Sequence, residues 1–273
     1  MKKYSIEILP KQKDKIPKIK NDYFEDVYVT HIPGSPPTDL IEASKDVLNN
    51  NLNPVPHIPA RSMESESELN GLLSDLNNIG VKSILMIGGS SKEVLGPYSS
   101  TSEIIQSGIL KNYSFSNIRI AGHPEGNKDI DPDGGETNVS QALSWKQEFS
   151  NRTDASMAIT TQFCFDAAVV KKWADNIKSN GIDIPIHIGI AGPAKLQTLI
   201  KFSIECGVGA SMKVLTKRAR DITKLLLPYK PTQILNDLGE YKSQDPSFNI
   251  EQVHFFPLGG IKKAAEWAKE YSN

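Results

Sequence analysis

The sequence is poor in cysteine, with 2 among 273 residues. Cys164 and Cys206 are too few for a disulfide framework and fit a reducing compartment. It also lacks an excess of either charge. Lys and Arg number 31 against 32 Asp and Glu, a formal net charge of −1. That excludes the broad basic field with which proteins hold nucleic acid or an anionic membrane surface. No run of about 18 apolar residues occurs, so no membrane-spanning helix is expected. The opening stretch MKKYSIEILPKQKDK is basic. It has no apolar core of about 7–15 residues such as a secretory leader carries. His-x-His and His-Glu-x-x-His spacings are missing, so no metal is expected. There is no Gly-x-Ser-x-Gly elbow for a serine hydrolase. The lysines fall mostly in helical segments and the N-terminal loop, which argues against a Schiff-base aldolase. A cytoplasmic enzyme or binding domain is the expectation, with a small-molecule ligand and compatible with a homo-oligomer.

Hydrophobic residues make up 38% of the chain, enough for a large core. They come in short runs: Tyr4–Leu9, Val27–Thr30, Pro54–Ile58, Ser83–Gly88, Ile118–Gly122, Met157–Phe163, Pro185–Ile190 and Gln252–Phe256. Each is strand-length, and most are rich in β-branched residues, as buried parallel strands are. Between them lie amphipathic segments predicted as helices: Thr38–Leu52, Ser65–Ile79, Thr101–Leu110, Thr137–Asn151, Ala167–Asn180, Ala194–Cys206, Met212–Leu227 and Lys262–Tyr271. Their Ser and Thr starts and Gly or Pro stops follow capping rules. Polar Asn236–Ile250 reads as a loop or short helix. Eight strand–helix alternations predict a single (β/α)8 TIM barrel spanning residues 1–273. A doubly wound sheet is the runner-up, but the first strand is followed by lysine-rich KQKDKIPKIK rather than a glycine-rich turn.

In such a barrel the chemistry sits at the C-terminal strand ends. All five histidines, His31, His57, His123, His187 and His254, fall in or just after strand runs. Each alone reads as a hydrogen-bonded core or loop histidine; together they suggest a polar pocket. Glu7 lies mid-run in IEIL. A carboxyl group there is either a general acid or half of an ion pair with lysine. Gln162 in TTQFCFD is either a reader of a heterocycle edge or a local loop cap. The glycines of Gly88–Ser91 either admit a flat or anionic ligand or make a plain tight turn.

On these residues the chain resembles the methylenetetrahydrofolate reductase family over nearly its whole length. TTQFCFD (Thr160–Asp166) is similar to the family's TQ-F-F-D segment and is the most specific motif. IAGHPEGN (Ile120–Asn127), VPHIPARS (Val55–Ser62) and YSIEILP (Tyr4–Pro10) resemble three further strand segments, and PIHIGIAGP and VHFFPL two more. The resemblance implies a catalytic barrel in which hydride passes from NADH or NADPH through bound FAD to the methylene carbon of 5,10-methylenetetrahydrofolate. It places Glu7 as the acid that opens the imidazolidine ring and Gln162 as the pterin contact, with Phe165 also at the substrate. Thr30, His57, Ile87, Gly88, Gly89, Ser90, Ala121, His123 and Asn127 match positions around the flavin.

Several positions depart from the family pattern. Its Arg-Gly-Asp loop reads Gly88-Gly89-Ser90 here, its flavin-contacting tyrosine is His123, and a following histidine is Asn127. The family's lysine on the helix after the fifth strand falls near Lys146. The alternatives are a flavin-free reductase, a folate-dependent methyl- or methylene-transfer enzyme, or a non-catalytic folate-binding barrel. No nucleotide fingerprint separates NADH from NADPH.

Overall fold

A computed structural model describes residues 3–19, 22–89, 91, 93–209, 212–220 and 227–272. Eight parallel strands close a barrel in chain order. They are β1 Tyr4–Ile8, β2 Phe24–Val29, β3 Asn53–Pro59, β4 Ser83–Ile87, β5 Asn117–Gly122, β6 Ser156–Cys164, β7 Ile186–Ala191 and β8 Ile250–Phe256. The fold is the (β/α)8 barrel that the strand runs imply. The helices are α1 Pro37–Asn49, α2 Glu66–Asn78, α3 Thr101–Ser107, α4 Thr137–Ser150, α5 Ala167–Ser179, α6 Leu196–Glu205, α7 Met212–Arg220, α8 Thr232–Gln244 and α9 Ile261–Ser272.

The chain divides into two compact units. One comprises Ser5–Ala121 and Phe149–Ala158. Here Val27 pairs with Pro54, His57 with Leu85, and Leu85 with Arg119, setting β2 to β5 in register. Tyr28, Val55 and Leu85 form an apolar cluster on one face, with Ile87 packed against it. On the helical side, α2 begins where the Ser65 hydroxyl accepts from Glu68 N–H at 3.1 Å. Its buried residues Leu69, Leu72, Leu73 and Leu76 follow the helical period. Burying each contributes roughly 1.5–3 kcal/mol over leaving it exposed.

The other unit comprises Met1–Tyr4, Gly122–Glu148 and Ile159–Asn273. β7 and β8 pair from Ile186–Ile250 to Ala191–Phe256. β7 is buried at every position: one face carries Ile186, Ile188 and Ile190, and the other His187, Gly189 and Ala191. α5 is capped by Asp166, which accepts from Ala168 N–H at 2.9 Å. Its buried stripe is Ala167, Val170, Trp173, Ala174 and Ile177.

Several boundaries differ from expectation for local reasons. β2 starts at Phe24, because Glu25 and Asp26 lie inside a strand that reads as apolar only from Val27. α1 is entered through Pro36 and Pro37 rather than a Thr38 cap, and stops before Asn51, whose φ of 56° is left-handed. α3 ends at Gly108, with φ 78°, rather than at Leu110. α6 starts at Leu196 because Ala194 is held extended against Tyr229, Tyr229 N–H donating to Ala194 O at 2.9 Å. α8, a helix of 13 residues, takes up the first part of the polar segment read as a loop or short helix. Only Ile234, Leu235 and Leu238 are buried along it, a stripe too sparse to stand out in the sequence. The predicted continuation of α7 over residues 221–226 lies outside the described residues.

Candidate functional site

In the first unit β1 and β3 bring two polar side chains together. The Glu7 carboxylate on β1 lies 3.8 Å from His57 Nε2 on β3. Both side chains are largely shielded, His57 at 7% and Glu7 at 21% exposure. An ion pair forms at this distance when the imidazole is protonated. Tyr28, fully buried, meets the His57 ring in an edge-on contact with ring centres 6.3 Å apart. Thr30 follows β2 directly and donates its N–H to Ile8 O at 2.9 Å. Its Oγ1 is buried and has no hydrogen-bond partner among the described residues.

The loop after β4 is closely packed. A side chain on Gly88 would start 3.3 Å from Arg61, and one on Gly89 would start 3.2 Å from Pro59. Gly89 has φ +96°, which favours glycine irrespective of space. Arg61 donates from Nη1 to Ser91 O at 3.1 Å, so its guanidinium lies over the glycine turn. Ile87 is half-buried at the end of β4, and Ala121 is half-buried near the end of β5. Ser90 lies outside the described residues.

In the second unit, His123 follows β5 directly. Its Nδ1 pairs with Asn127 Nδ2 at 3.4 Å. Burial, reinforced by the Lys146 charge, lowers its pKa to about 4, so the ring is neutral near pH 7. Lys146 on α4 is itself buried, and desolvation lowers its pKa to about 8. The α4 N-terminus is held by Asp131, whose two carboxylate oxygens accept from Asn138 N–H and Val139 N–H at 2.9 Å each. That capping fixes the helix that carries Lys146.

Gln162 sits in an irregular stretch of β6, where the pairing with β7 shifts between Thr160 and Phe163. Its Oε1 accepts from Phe163 N–H at 3.0 Å, the local cap weighed as the plainer alternative. The amide NH2 is therefore the half of the group left to meet a ligand. Thr161 Oγ1 accepts from Gly189 N–H at 2.8 Å and donates to Gln162 O at 2.9 Å. A side chain on Gly189 would start 2.4 Å from Thr161 O, so glycine is needed for β7 to approach the bulge. Phe165 lies three residues further along the chain. It packs edge-on against Phe163 and Tyr229, ring centres 5.7 Å apart in each pair, inside an apolar cluster.

His187 and His254 are buried on β7 and β8, and His31 is partly exposed after β2. Burial lowers the His31 pKa against a smaller opposing pull from Glu68. Sequence reasoning missed Arg119, a half-buried guanidinium midway along β5. Its signal was the one that singled out Glu7: a charge flanked by apolar residues in a strand, here IRIAG. Among the described residues no group of three His, Cys, Asp or Glu side chains is arranged to hold a metal. No described helix is long and apolar enough to cross a membrane.

Comparison with known proteins bears on family and fold. An uncharacterized protein from Clostridium thermocellum that binds two copies of 5-methyl-5,6,7,8-tetrahydrofolic acid superposes with TM-score 0.64 at 13% identity, over 99% of this chain and 94% of that one. A conserved Enterococcus faecalis protein of unknown function gives TM-score 0.50 at 11% identity, over 99% of this chain and 66% of that one. At such identities the likeness is one of fold. The sequence pattern of the methylenetetrahydrofolate reductase family matches residues 13–221, well over half of the chain. The chain belongs to the methylenetetrahydrofolate reductase family.

Proposed function

We propose that the protein reduces 5,10-methylenetetrahydrofolate to 5-methyltetrahydrofolate at the expense of NADH or NADPH, with FAD as the hydride carrier. The observation that carries this is the shielded Glu7 carboxylate set 3.8 Å from His57 at the end of β1. The family match begins at residue 13, so Glu7 rests on the YSIEILP resemblance and on this geometry. The 5-methyltetrahydrofolate bound by the Clostridium thermocellum protein supports a folate on this fold.

FAD fits the residues present. The family's loop arginine is Gly88 here, but the Arg61 guanidinium lies over that glycine and restores a positive charge to the loop. The buried Thr30 Oγ1 has no partner among the described residues, and a ligand would supply one. Thr30, His57, Ile87, Gly88, Gly89 and Ala121 of the first unit would hold the flavin, whose bound form supplies two-electron hydride chemistry; His123 and Asn127 are proposed for it from the sequence resemblance alone. Ser90, the remaining loop position, is proposed from sequence alone.

The protein's own work is proton supply and orientation. Glu7, protonated, gives its proton to a nitrogen of the imidazolidine ring. The ring C–N bond then breaks, leaving an electrophilic iminium at the methylene carbon to accept hydride. His57 is placed to return a proton to Glu7 for the next cycle. Gln162 donates from its amide to the pterin, because its carbonyl is already engaged by Phe163. Fixing partners in reacting geometry lowers the barrier by removing orientational freedom before the chemical step.

The test is the spectrum of the purified protein, followed by turnover of 5,10-methylenetetrahydrofolate with each nicotinamide. Visible flavin absorption and NAD(P)H-dependent formation of 5-methyltetrahydrofolate are expected. Turnover in a colourless preparation would leave direct hydride transfer from NAD(P)H. No turnover with either nicotinamide, alongside tight binding of 5-methyltetrahydrofolate, would make the chain a folate-binding barrel instead.

A further inference from the structure

The feature of the first unit that the proposed mechanism leaves unused is Arg119. It lies at the middle of β5, where Ile118, Ile120 and Gly122 are buried and Asn117, Arg119 and Ala121 are only partly so. Register places it beside Leu85, which in turn pairs with His57. Leu85 belongs to the same apolar cluster as Tyr28 and Val55. Arg119 therefore ends a row of side chains that runs through Leu85 to His57, with Glu7 against His57. Its Nε is closed off from solvent and has no hydrogen-bond partner among the described residues. An arginine kept for stability is ordinarily paired when it is taken out of water. A shielded, unmatched N–H instead weakens the free protein and calls for an absent acceptor. A second group behaves alike. Thr30 Oγ1, one residue beyond the Val29–Pro56 pair, is also buried and unmatched among the described residues.

We propose that Arg119 is a ligand-binding residue for the pyrimidinone edge of a flat heterocycle, the ring that pterins and flavins share. This rests on the proposed function for the identity of the ring. The guanidinium offers parallel N–H donors in one plane, which match an adjacent carbonyl oxygen and ring nitrogen. Its fixed positive charge favours a ring that carries negative charge on that edge. Leu85 beside it presents an apolar surface that suits the ring's flat face.

The experiment compares the natural chain with Arg119→Met and Arg119→Lys by thermal unfolding and by calorimetric titration, with 5-methyltetrahydrofolate and FAD as separate ligands. In the absence of ligand, Arg119→Met should raise Tm by about 2–4 °C, because a shielded, unmatched N–H is removed. It should weaken one of the two ligands by roughly 10–100-fold, the usual range for losing a charge-assisted hydrogen bond. Arg119→Lys keeps the charge without the planar fork and should fall between. Weakening of the folate alone makes the pterin the ring that Arg119 holds, and weakening of FAD alone makes it the flavin. A fall in Tm for Arg119→Met, with binding intact, would show a structural arginine and overturn the proposal. Unchanged affinity for both ligands would overturn it while leaving the proposed function standing. Failure of the natural chain to bind either ligand would overturn both.

Discussion

Glu7 and His57 bring an acid and an imidazole from β1 and β3 to within 3.8 Å, with Tyr28 edge-on to the imidazole ring. The pair is shielded but open on the Glu7 side, where 21% of the side chain remains exposed. A proton held there can reach a ligand and be replaced from the neighbouring ring. Arg119 extends the same row, so acid, base and cation are spaced along the inner face of one unit.

Replacing Glu7 with Gln keeps the shape and removes the transferable proton. Folate turnover should fall by roughly 10²–10⁴-fold, the contribution typical of a positioned acid. Reduction of bound flavin by NADH, followed by stopped-flow absorbance, should change little, because that half-reaction needs no ring opening. Equal loss in both half-reactions would remove Glu7 from the chemistry and assign it to structure.

His57→Asn should leave folate binding near its natural value and lower steady-state turnover less than Glu7→Gln does. The diagnostic is the pH profile. If His57 returns the proton, the dependence of turnover on pH should shift in His57→Asn. A profile identical to that of the natural chain would exclude this role.

The Gln162 bulge depends on a glycine in the next strand. A Cβ at Gly189 would stand 2.4 Å from Thr161 O and 2.6 Å from Gln162 O, both backbone atoms with little room to give. Gly189→Ala should therefore cost at least about 1–3 kcal/mol, as overpacking does. It should also weaken folate binding, because the strain falls on the peptide that carries Gln162. Gly239→Ala is the control. Gly239 lies within α8 with nothing within 4 Å of the added carbon, and the change should stabilise by about 0.5–1 kcal/mol. Urea midpoints for the two variants moving in the same direction would contradict the packing argument.

The barrel was legible because each strand is a short β-branched run and most helices carry ordinary caps. Strand positions followed from Ser83–Ile87 or Ile186–Ala191 almost residue for residue. Two kinds of feature did not show. α8 buries only three residues, so its period is drowned by its polar face. Phe165 packs into the apolar cluster with Tyr229, a contact that depends on where residues over sixty positions later are placed. At the candidate site, Glu7 was readable as a charge inside an apolar strand, and Arg119 satisfied the same rule unnoticed. The neighbours that give these charges meaning, His57 for Glu7 and Leu85 for Arg119, come from other strands and depend on register.

His123, half-buried, and Lys146, buried, should leave a signature in the pH dependence of stability. His123 has its pKa lowered from 6.5 to about 4, first by burial and then by the Lys146 charge. Between these values the unfolded chain binds a proton that the folded chain refuses. Stability is therefore complete above about pH 6.5 and falls as the pH drops towards 4, by roughly 3 kcal/mol in all. Lys146 acts in the alkaline range. Its pKa of about 8, lowered from 10.5 by burial, means that the unfolded chain holds its proton longer. Its contribution to stability thus rises between about pH 8 and 10.5. Urea midpoints at pH 7, 5.5 and 4.5 should decline less steeply in His123→Asn than in the natural chain. Lys146→Met should remove the alkaline rise. It should also move the acid decline to a narrower window, because His123 regains part of its ordinary basicity once the neighbouring charge is gone. An acid decline in His123→Asn as steep as in the natural chain would assign it to carboxylates elsewhere and show that His123 is not held neutral by its surroundings.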